Sequence, residues 1–226
     1  MSLAGPEFMK QPLLTGVVAL GCLVLVPRFA AMQPPSRVLS CEGPFRPDAS
    51  VASLAEHFGA RNVVNAEIDI GEGFTEVGTI ILGASSRDRV EVLWFQLEAG
   101  HRLRRVTVRQ LSTSPPMSHW RTPGGLELGT HLRVVERQNR RPFRLAGFGW
   151  DYGGTTMSWA GGRFDADQPS ACRTRARFTT GELLTEERQR WDRQVIGDRE
   201  FSSGHLAMQA LDPYVYEIWL DYQPAG

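Results

Sequence analysis

Two carboxylates stand beside glycines on predicted turns, where their side chains could act in acid–base chemistry. Glu72 has a glycine on each side, and Asp151 comes shortly before a Gly-Gly pair. Glycoside hydrolases use two facing carboxylates, one as the proton donor and the other as base or nucleophile. A sequence cannot show whether two carboxylates face each other, and turn formation is the simpler explanation of both residues. A hydrolase that uses Glu72 and Asp151 is therefore kept as the alternative interpretation.

The motifs of other catalytic classes are missing from the sequence. Its histidines are never spaced as H-x-x-x-H, so the ligands of a metalloprotease are lacking. No serine lies in G-x-S-x-G, and the glycines around Glu72 lack the G-x-G-x-x-G spacing of a nucleotide-binding loop. There is no C-x-x-C pair. We predict no catalytic residue, no metal site and no cofactor.

An aromatic residue lies on each side of Asp151, on the turn of a predicted β-hairpin within residues 139–159. Residues 143–148 and 155–159 have strand character, and the glycines between them favour a tight turn. Two interpretations of this turn stay open. Trp150 and Tyr152 cover the edge of the core, or a rigid loop presents Trp150, Asp151 and Tyr152 to a partner, as aromatic anchors do at interfaces. With Glu72, these three residues are the candidate binding residues.

Charge and composition exclude several classes of partner. The chain has 226 residues, a formal net charge of +0, 42% hydrophobic residues and 22% charged residues. These values are ordinary for a globular protein that buries a sizeable core. A balanced charge argues against nucleic-acid binding, which needs a basic surface, and against electrostatic attachment to anionic lipid.

Residues 1–33 have the pattern of an export leader. A single lysine, Lys10, precedes an apolar run over residues 12–26, as in a signal peptide. Residues 1–8 precede a second methionine, which is an alternative start. An uncleaved membrane anchor and lipidation at Cys22 remain alternatives to cleavage, and the leader is the only part for which we predict membrane contact. We expect an exported protein, periplasmic or secreted.

The cysteines agree with export. Beyond the leader the sequence holds Cys41 and Cys172, an even pair. In an oxidising compartment such a pair is a candidate disulfide. Two separate buried thiols are the alternative.

The remaining periodicity predicts one α+β domain over residues 36–226, with an antiparallel sheet and two principal helices. A helix over residues 48–59, capped by Asp48 or Ser50, precedes four strands joined by short turns. A proline-containing boundary follows, and a second helix, capped by Thr130, leads into the hairpin. Helix and strands thus occur twice, as pseudo-repeats 48–111 and 126–165. Beyond them we predict a strand at 172–178, a short helical or loop segment at 180–191 with Thr180 as cap, a loop at 192–204, one or two helical turns within 203–211 and a last strand at 214–222.

A P-F-x-L-x-G-F-G-W-D-Y-G-G motif occupies residues 142–154, and I-D-I-G-E-G, R-D-R-V-E-V-L-W and L-x-L-G-T occupy residues 68–73, 87–94 and 126–130. These segments, the first of them most specifically, resemble a group of bacterial exported proteins to which no activity is attached. The tandem arrangement also resembles, in architecture alone, the β-lactamase inhibitory protein and small outer-membrane-assembly lipoproteins. Those are binding modules without catalysis, and such a likeness sets only an expectation. We therefore expect a non-enzymatic envelope module whose ligand is a protein or another envelope component.

Overall fold

A computed structural model describes residue 1 and residues 37–85, 87–97, 100–109, 118–166, 171–182 and 185–223. Residues 34–226 form one compact unit. The leader prediction lies outside the described residues, apart from its first position.

The described residues form eleven strands, five α-helices and two short 3-10 helices at Gly43–Phe45 and Ala60–Asn62. The strands are β1 (Arg37–Val38), β2 (Val63–Gly71), β3 (Phe74–Ile81), β4 (Val90–Leu97), β5 (Gly100–Arg109), β6 (Trp120–Arg121), β7 (Arg144–Ala146), β8 (Thr156–Ser158), β9 (Cys172–Thr179), β10 (Glu200–Ser202) and β11 (Tyr214–Tyr222). The helices are α1 (Val51–Phe58), α2 (Leu132–Asn139), α3 (Arg163–Ala166), α4 (Glu186–Asp192) and α5 (Leu206–Leu211).

The central element is a six-stranded sheet in the order β2-β3-β4-β5-β11-β9, in which every neighbouring pair is antiparallel. This confirms the α+β class with an antiparallel sheet. A second sheet has the order β10-β7-β8, and β1 pairs in parallel with β6. The last strand, β11, lies between β5 and β9, so the C-terminal segment completes the large sheet.

One face of the large sheet carries the core. Strands alternate their side chains between two faces. Val92, Val106 and Ile218 point to the core face and are fully buried together with Leu54 of α1 and Met208 of α5. We call the opposite side the outer face.

The predicted disulfide is confirmed. Cys41 and Cys172 are bonded, and both lie in the core cluster. The bond joins the segment after β1 to the first residue of β9. Such bonds persist in oxidising compartments outside the cytoplasm.

Two predicted helix starts are wrong, and tertiary contacts explain the first. The N-cap of α2 is His131, not Thr130, because His131 has an extended backbone and bridges Tyr214 of β11. Gly129 N donates to Val215 O at 2.7 Å, and Val215 N donates to Thr130 O at 3.0 Å. The N-cap of α4 is Thr185, whose side chain accepts from Arg188 N, and not Thr180. For α1, Ser50 forms a capping box with Ser53, which decides between the two predicted caps.

The two predicted pseudo-repeats supply strands to different sheets. The first segment supplies β2 to β5 of the large sheet, whereas the second supplies β7 and β8 of the small one. β10 pairs with β7 and lies within the segment predicted as a loop. A three-residue strand with one buried apolar side chain, Phe201, is too short to show a period.

Buried Asn139 fixes the stretch that contains the hairpin. Its amide nitrogen donates to Arg141 O at 3.0 Å and to Trp159 O at 2.9 Å, and its side-chain oxygen accepts from Phe164 N. A buried amide with these partners meets its hydrogen-bonding requirement. The end of α2 is thereby joined to the strand that leaves the hairpin and to α3.

Candidate functional site: a groove on the outer face of the sheet

The outer face of the large sheet carries charged side chains in register. Cross-strand pairing aligns three rows, which are Glu91, Thr107, Trp219 and Arg175; Leu93, Arg105, Asp221 and Arg173; and Arg109, Glu217 and Arg177. Cross-strand neighbours on one face lie close enough to interact. The outer face is thus an ordered array of charges around a few apolar side chains.

Arg109 lies between two buried glutamates. Its Nη2 is 3.1 Å from Glu217 Oε1 and 3.9 Å from Glu91 Oε2, and Arg177 approaches Glu217 at 3.7 Å. Glu217 is 6% exposed and Glu91 9%. Burial lowers the pKa of Arg109, but attraction to Glu217 and Glu91 outweighs burial, so its pKa is raised. Arg109, Arg177 and the two glutamates form a fixed charged floor, in which each buried carboxylate has an arginine partner.

Asp221 joins an arginine of its own row, Arg105, to an arginine of the neighbouring row, Arg175. Its carboxylate is 3.0 Å from Arg105 Nε and 3.1 Å from Arg175 Nε, and it accepts a hydrogen bond from Trp219 Nε1 at 3.0 Å. The Arg105 guanidinium lies 5.3 Å from the centroid of the Trp219 ring. Trp219 is thus covered by Arg105 and supports its position by a cation–π contact.

One wall of the groove is the arm, which we define as residues 66–78 of the β2–β3 hairpin. β3 pairs with β4 only at residues 79–81, so the arm extends past that pairing and lies over the outer face. Its Ile68 packs on Leu93, and a Cβ at Gly78 would lie 2.5 Å from both Ile68 Cδ1 and Val92 O. Glycine at this position is therefore required for the close approach of arm and sheet.

The tip of the arm presents Glu72. The two-residue loop is Glu72-Gly73, and both residues have positive φ, 54° and 77°, as a type I′ hairpin turn requires. Asp69 Oδ1 accepts from Gly71 N at 2.8 Å, and Glu76 pairs with Arg104 of β5 at 2.6 Å. The turn role predicted for Glu72 agrees with this geometry, and its side chain is exposed.

The opposite wall is the aromatic loop, which we define as residues 150–155. Trp150 Nε1 donates to Gly147 O at 2.9 Å, and the rings of Trp150 and Tyr152 are 5.4 Å apart. Both remain accessible, at 39% and 55% exposure. At these exposed fractions neither ring is buried in the core, and a docking role for the loop stays a prediction.

The aromatic loop is fixed to β9, the edge strand of the large sheet. Phe178 N donates to Gly154 O at 3.0 Å, and Arg177 Nε donates to Gly153 O at 3.2 Å. A Cβ at Gly154 would lie 2.1 Å from Phe178 O. The loop therefore meets the strand backbone to backbone, which makes it a rigid support for the side chains that it carries.

The groove between arm and aromatic loop has a volume of about 490 Å³. Three of the four candidate binding residues, Glu72, Asp151 and Tyr152, line it together with the charged rows. Trp150 packs beside Tyr152 and is not among the lining residues. The two glycine-flanked carboxylates, 79 positions apart in the sequence, thus reach the same groove.

Three β-bulges shape this groove. They interrupt the register after Asp69, between Leu93 and Trp94, and between Val215 and Glu217. A bulge turns consecutive side chains toward one side, where a regular strand would alternate them. Accordingly, both Asp69 and Ile70, and both Tyr216 and Glu217, line the groove. Burial raises the pKa of the Tyr216 hydroxyl, so it is a neutral group at physiological pH.

A histidine and an aspartate also pair away from the groove. His119 Nδ1 is 2.9 Å from Asp88 Oδ1, Arg37 Nε is 3.4 Å from Asp88 Oδ2, and Trp120 Nε1 donates to Asp88 O. A catalytic dyad of this kind needs a nucleophile beside the imidazole. Among the described residues, no serine or cysteine side chain bonds to His119. The described part of the chain also holds no cluster of three or more His, Cys, Asp or Glu side chains that could bind a metal.

No protein-family model, curated protein or solved structure matches the chain. Among the described residues, no helix is both long enough and apolar enough to cross a bilayer. The site must therefore be interpreted from its own geometry.

The sequence predicted three side chains at the rim of the groove, Glu72, Asp151 and Tyr152, but not the charged side chains of its floor. Arginine occupies alternate positions 173, 175 and 177, and the last strand alternates Glu217, Trp219 and Asp221 with apolar residues. This period identifies one polar face on each strand. Only the strand order β5-β11-β9 brings the polar faces together.

Proposed function

We propose that the chain is an exported, non-enzymatic binding protein of the bacterial envelope or its surroundings. Its ligand, a protein partner in the simplest case, docks on the outer face of the sheet and contacts the aromatic loop. The observation that carries this proposal is the groove, which has a fixed charged floor between the arm and a rigid loop with exposed aromatic side chains. Concave sites with a few well-placed polar groups bind ligands, and aromatic anchors supply much of the binding energy.

The state of the carboxylates supports binding rather than catalysis. Glu91, Glu217 and Asp221 each pair with arginine, and Glu72 and Asp151 are exposed at the rim. Carboxylates that are held by arginine orient the floor of the groove, and exposed carboxylates at its rim can pair with a cationic group of a ligand.

The test is capture of a partner from the envelope fraction of the host. Wild type is compared with the double variant W150A/Y152A, and L206A serves as the matched control, because Leu206 is 68% exposed and lies on α5, outside the groove. We expect wild type and L206A to retain the same partner and the double variant to lose it, with melting temperatures that stay nearly equal. Retention by all three proteins, or by none, would contradict the proposal. A large fall in melting temperature for W150A/Y152A would assign these residues to the fold.

The alternative is a secreted hydrolase, and one observation keeps it in view, since Glu72 and Asp151 line the same groove. Hydrolysis of glycoside or ester substrates by wild type, lost in both E72Q and D151N, would establish this function. Turnover that survives in both variants would exclude these carboxylates.

A further inference from the structure

We infer that the end of the groove near Arg104 and Arg173 is a subsite for an anionic group of the ligand, a carboxylate or a phosphate. We call it the arginine end. The inference deepens the proposed function and rests on it, because it assigns chemistry to part of the same groove.

Four arginines line a depression of about 290 Å³ that continues the groove at this end. They are Arg104 and Arg105 of β5 and Arg173 and Arg175 of β9, and Ile70 of the arm and Leu93 complete the walls. Since β11 lies between β5 and β9, the arginines approach the depression from both sides of Asp221.

A β-bulge explains why two consecutive arginines reach one depression. Leu93 pairs with Arg105, and Trp94 pairs with Leu103, which leaves Arg104 as the extra residue on β5. In a regular strand, Arg104 and Arg105 would point to opposite faces, and Arg104 would enter the core. The bulge places both arginines on the outer face and leaves Arg104 without a cross-strand partner on β4.

The arginine end carries an excess of positive charge. Within the described residues, its arginines pair with two carboxylates, Asp221, shared by Arg105 and Arg175, and Glu76, which pairs with Arg104. Four guanidinium groups against two carboxylates leave a net charge of about +2 in this small volume. The chain as a whole has a formal net charge of +0, so the excess is local.

The arginine side chains are placed to receive an anion. Arg105 is 45% exposed and Arg175 32% exposed at the side chain, and Arg173 is exposed as a residue. Asp221 and the Trp219 ring orient Arg105, so part of the entropy of ordering it is lost on folding and not on binding. A guanidinium presents planar, paired N–H donors that match the oxygens of carboxylate and phosphate.

The experiment titrates the full chain with two probe anions, inorganic phosphate and N-acetylglycine, and follows the arginine Nε–Hε signals by NMR. Ionic strength is held constant with sodium chloride, and uncharged N-acetylglycinamide controls for the carboxylate. We expect saturable shifts at the arginine end with at least one anion and none with the amide. The anion that binds more tightly identifies the ligand chemistry.

Two variants locate the binding. R173Q should weaken anion affinity by about tenfold, the size expected for one charge-assisted hydrogen bond. R46Q is the control, since Arg46 is a surface arginine that pairs with Asp48 and lies outside the groove. Absence of saturable binding by wild type, or equal affinity of R173Q and R46Q, would overturn the inference.

The outcome separates this inference from the proposed function. If no anion binds but W150A/Y152A loses the partner, the anion subsite is wrong and the proposed function is supported. If anions bind at the arginine end but W150A/Y152A retains the partner, the subsite is supported and the docking role of the aromatic loop is wrong.

Discussion

Opening the disulfide between Cys41 and Cys172 should remove a large part of the stability of the domain. The bond closes a loop with a sequence separation of 131. In the chain-entropy description, a cross-link over such a loop stabilises the folded state by about 5 kcal/mol at 25 °C, because it restricts the unfolded chain. For a domain of this size, that corresponds to a fall in melting temperature of about 10–20 °C.

The assay is unfolding by guanidinium chloride of C41A, C172A and the double variant, all in a C22S background that removes the third cysteine. Either single substitution opens the same bond, so each should cost about 5 kcal/mol, and the double variant should lose little more than either single one. Each alanine also removes a buried sulfur atom, which adds a smaller packing cost. The slope of the free energy with denaturant should rise, because the unfolded chain without the cross-link exposes more surface.

Two results would refute this reasoning. A loss below about 1 kcal/mol in both single variants would mean that the cross-link does not restrict the unfolded chain as described. Losses that add in the double variant would mean that the sulfurs act as separate core residues and not as one bond.

Two further predictions concern the backbone and pH. G154A should destabilise the fold by about 3 kcal/mol or more, because Gly154 has a φ of 75° and the new Cβ would lie 2.1 Å from Phe178 O. G125A is the control: Gly125 has a φ of 85° but nothing within 4 Å of the new Cβ, so only backbone strain of about 1–2 kcal/mol is expected. Equal losses of stability for the two variants in thermal or chemical unfolding would contradict a tight contact between the aromatic loop and β9. Burial raises the pKa of both Tyr216 and Tyr222 in the folded state. As pH rises above about 10, the ordinary tyrosine pKa, these hydroxyls therefore deprotonate in the unfolded state before they do so in the folded state. The free energy of unfolding should thus be constant below that pH and should fall above it. Denaturant titrations between about pH 8 and pH 11 test this, and Y222F should flatten the decline; a stability that is constant or rises over that range would show the sign to be wrong.

The fold class was predictable because its signals are local. Val64 to Ile70 alternate with polar residues, α1 has an apolar stripe beside a serine cap, and residues 214–222 alternate over nine positions. Two cysteines outside the leader were enough to predict the disulfide, since they leave a single pairing. Two predicted boundaries were wrong for different reasons. The start of α2 depends on a tertiary contact, because His131 is extended and bridges β11, whereas β10 is too short to show a period.

The candidate site was only partly predictable. The aromatic loop and Glu72 could be selected from the sequence because glycine-flanked turns have local chemistry that a sequence displays. The charged floor could not, because β4, β5, β9 and β11 come from distant parts of the chain, and their polar faces become one surface only when β11 enters between β5 and β9.

The sequence by itself determined the alternation of polar and apolar side chains on each strand, the turn at each glycine pair and the presence of two cysteines that can form one disulfide. The alternation and the turns depend on residues a few positions apart, and the disulfide follows from the number of cysteines outside the leader. The tertiary structure alone decided that Arg105 and Arg175 share Asp221, that a bulge turns Arg104 onto the outer face, and that Glu72 and Asp151 line one groove. Those arrangements depend on strand order and register, which the packing of the whole core selects and no short stretch of the chain specifies.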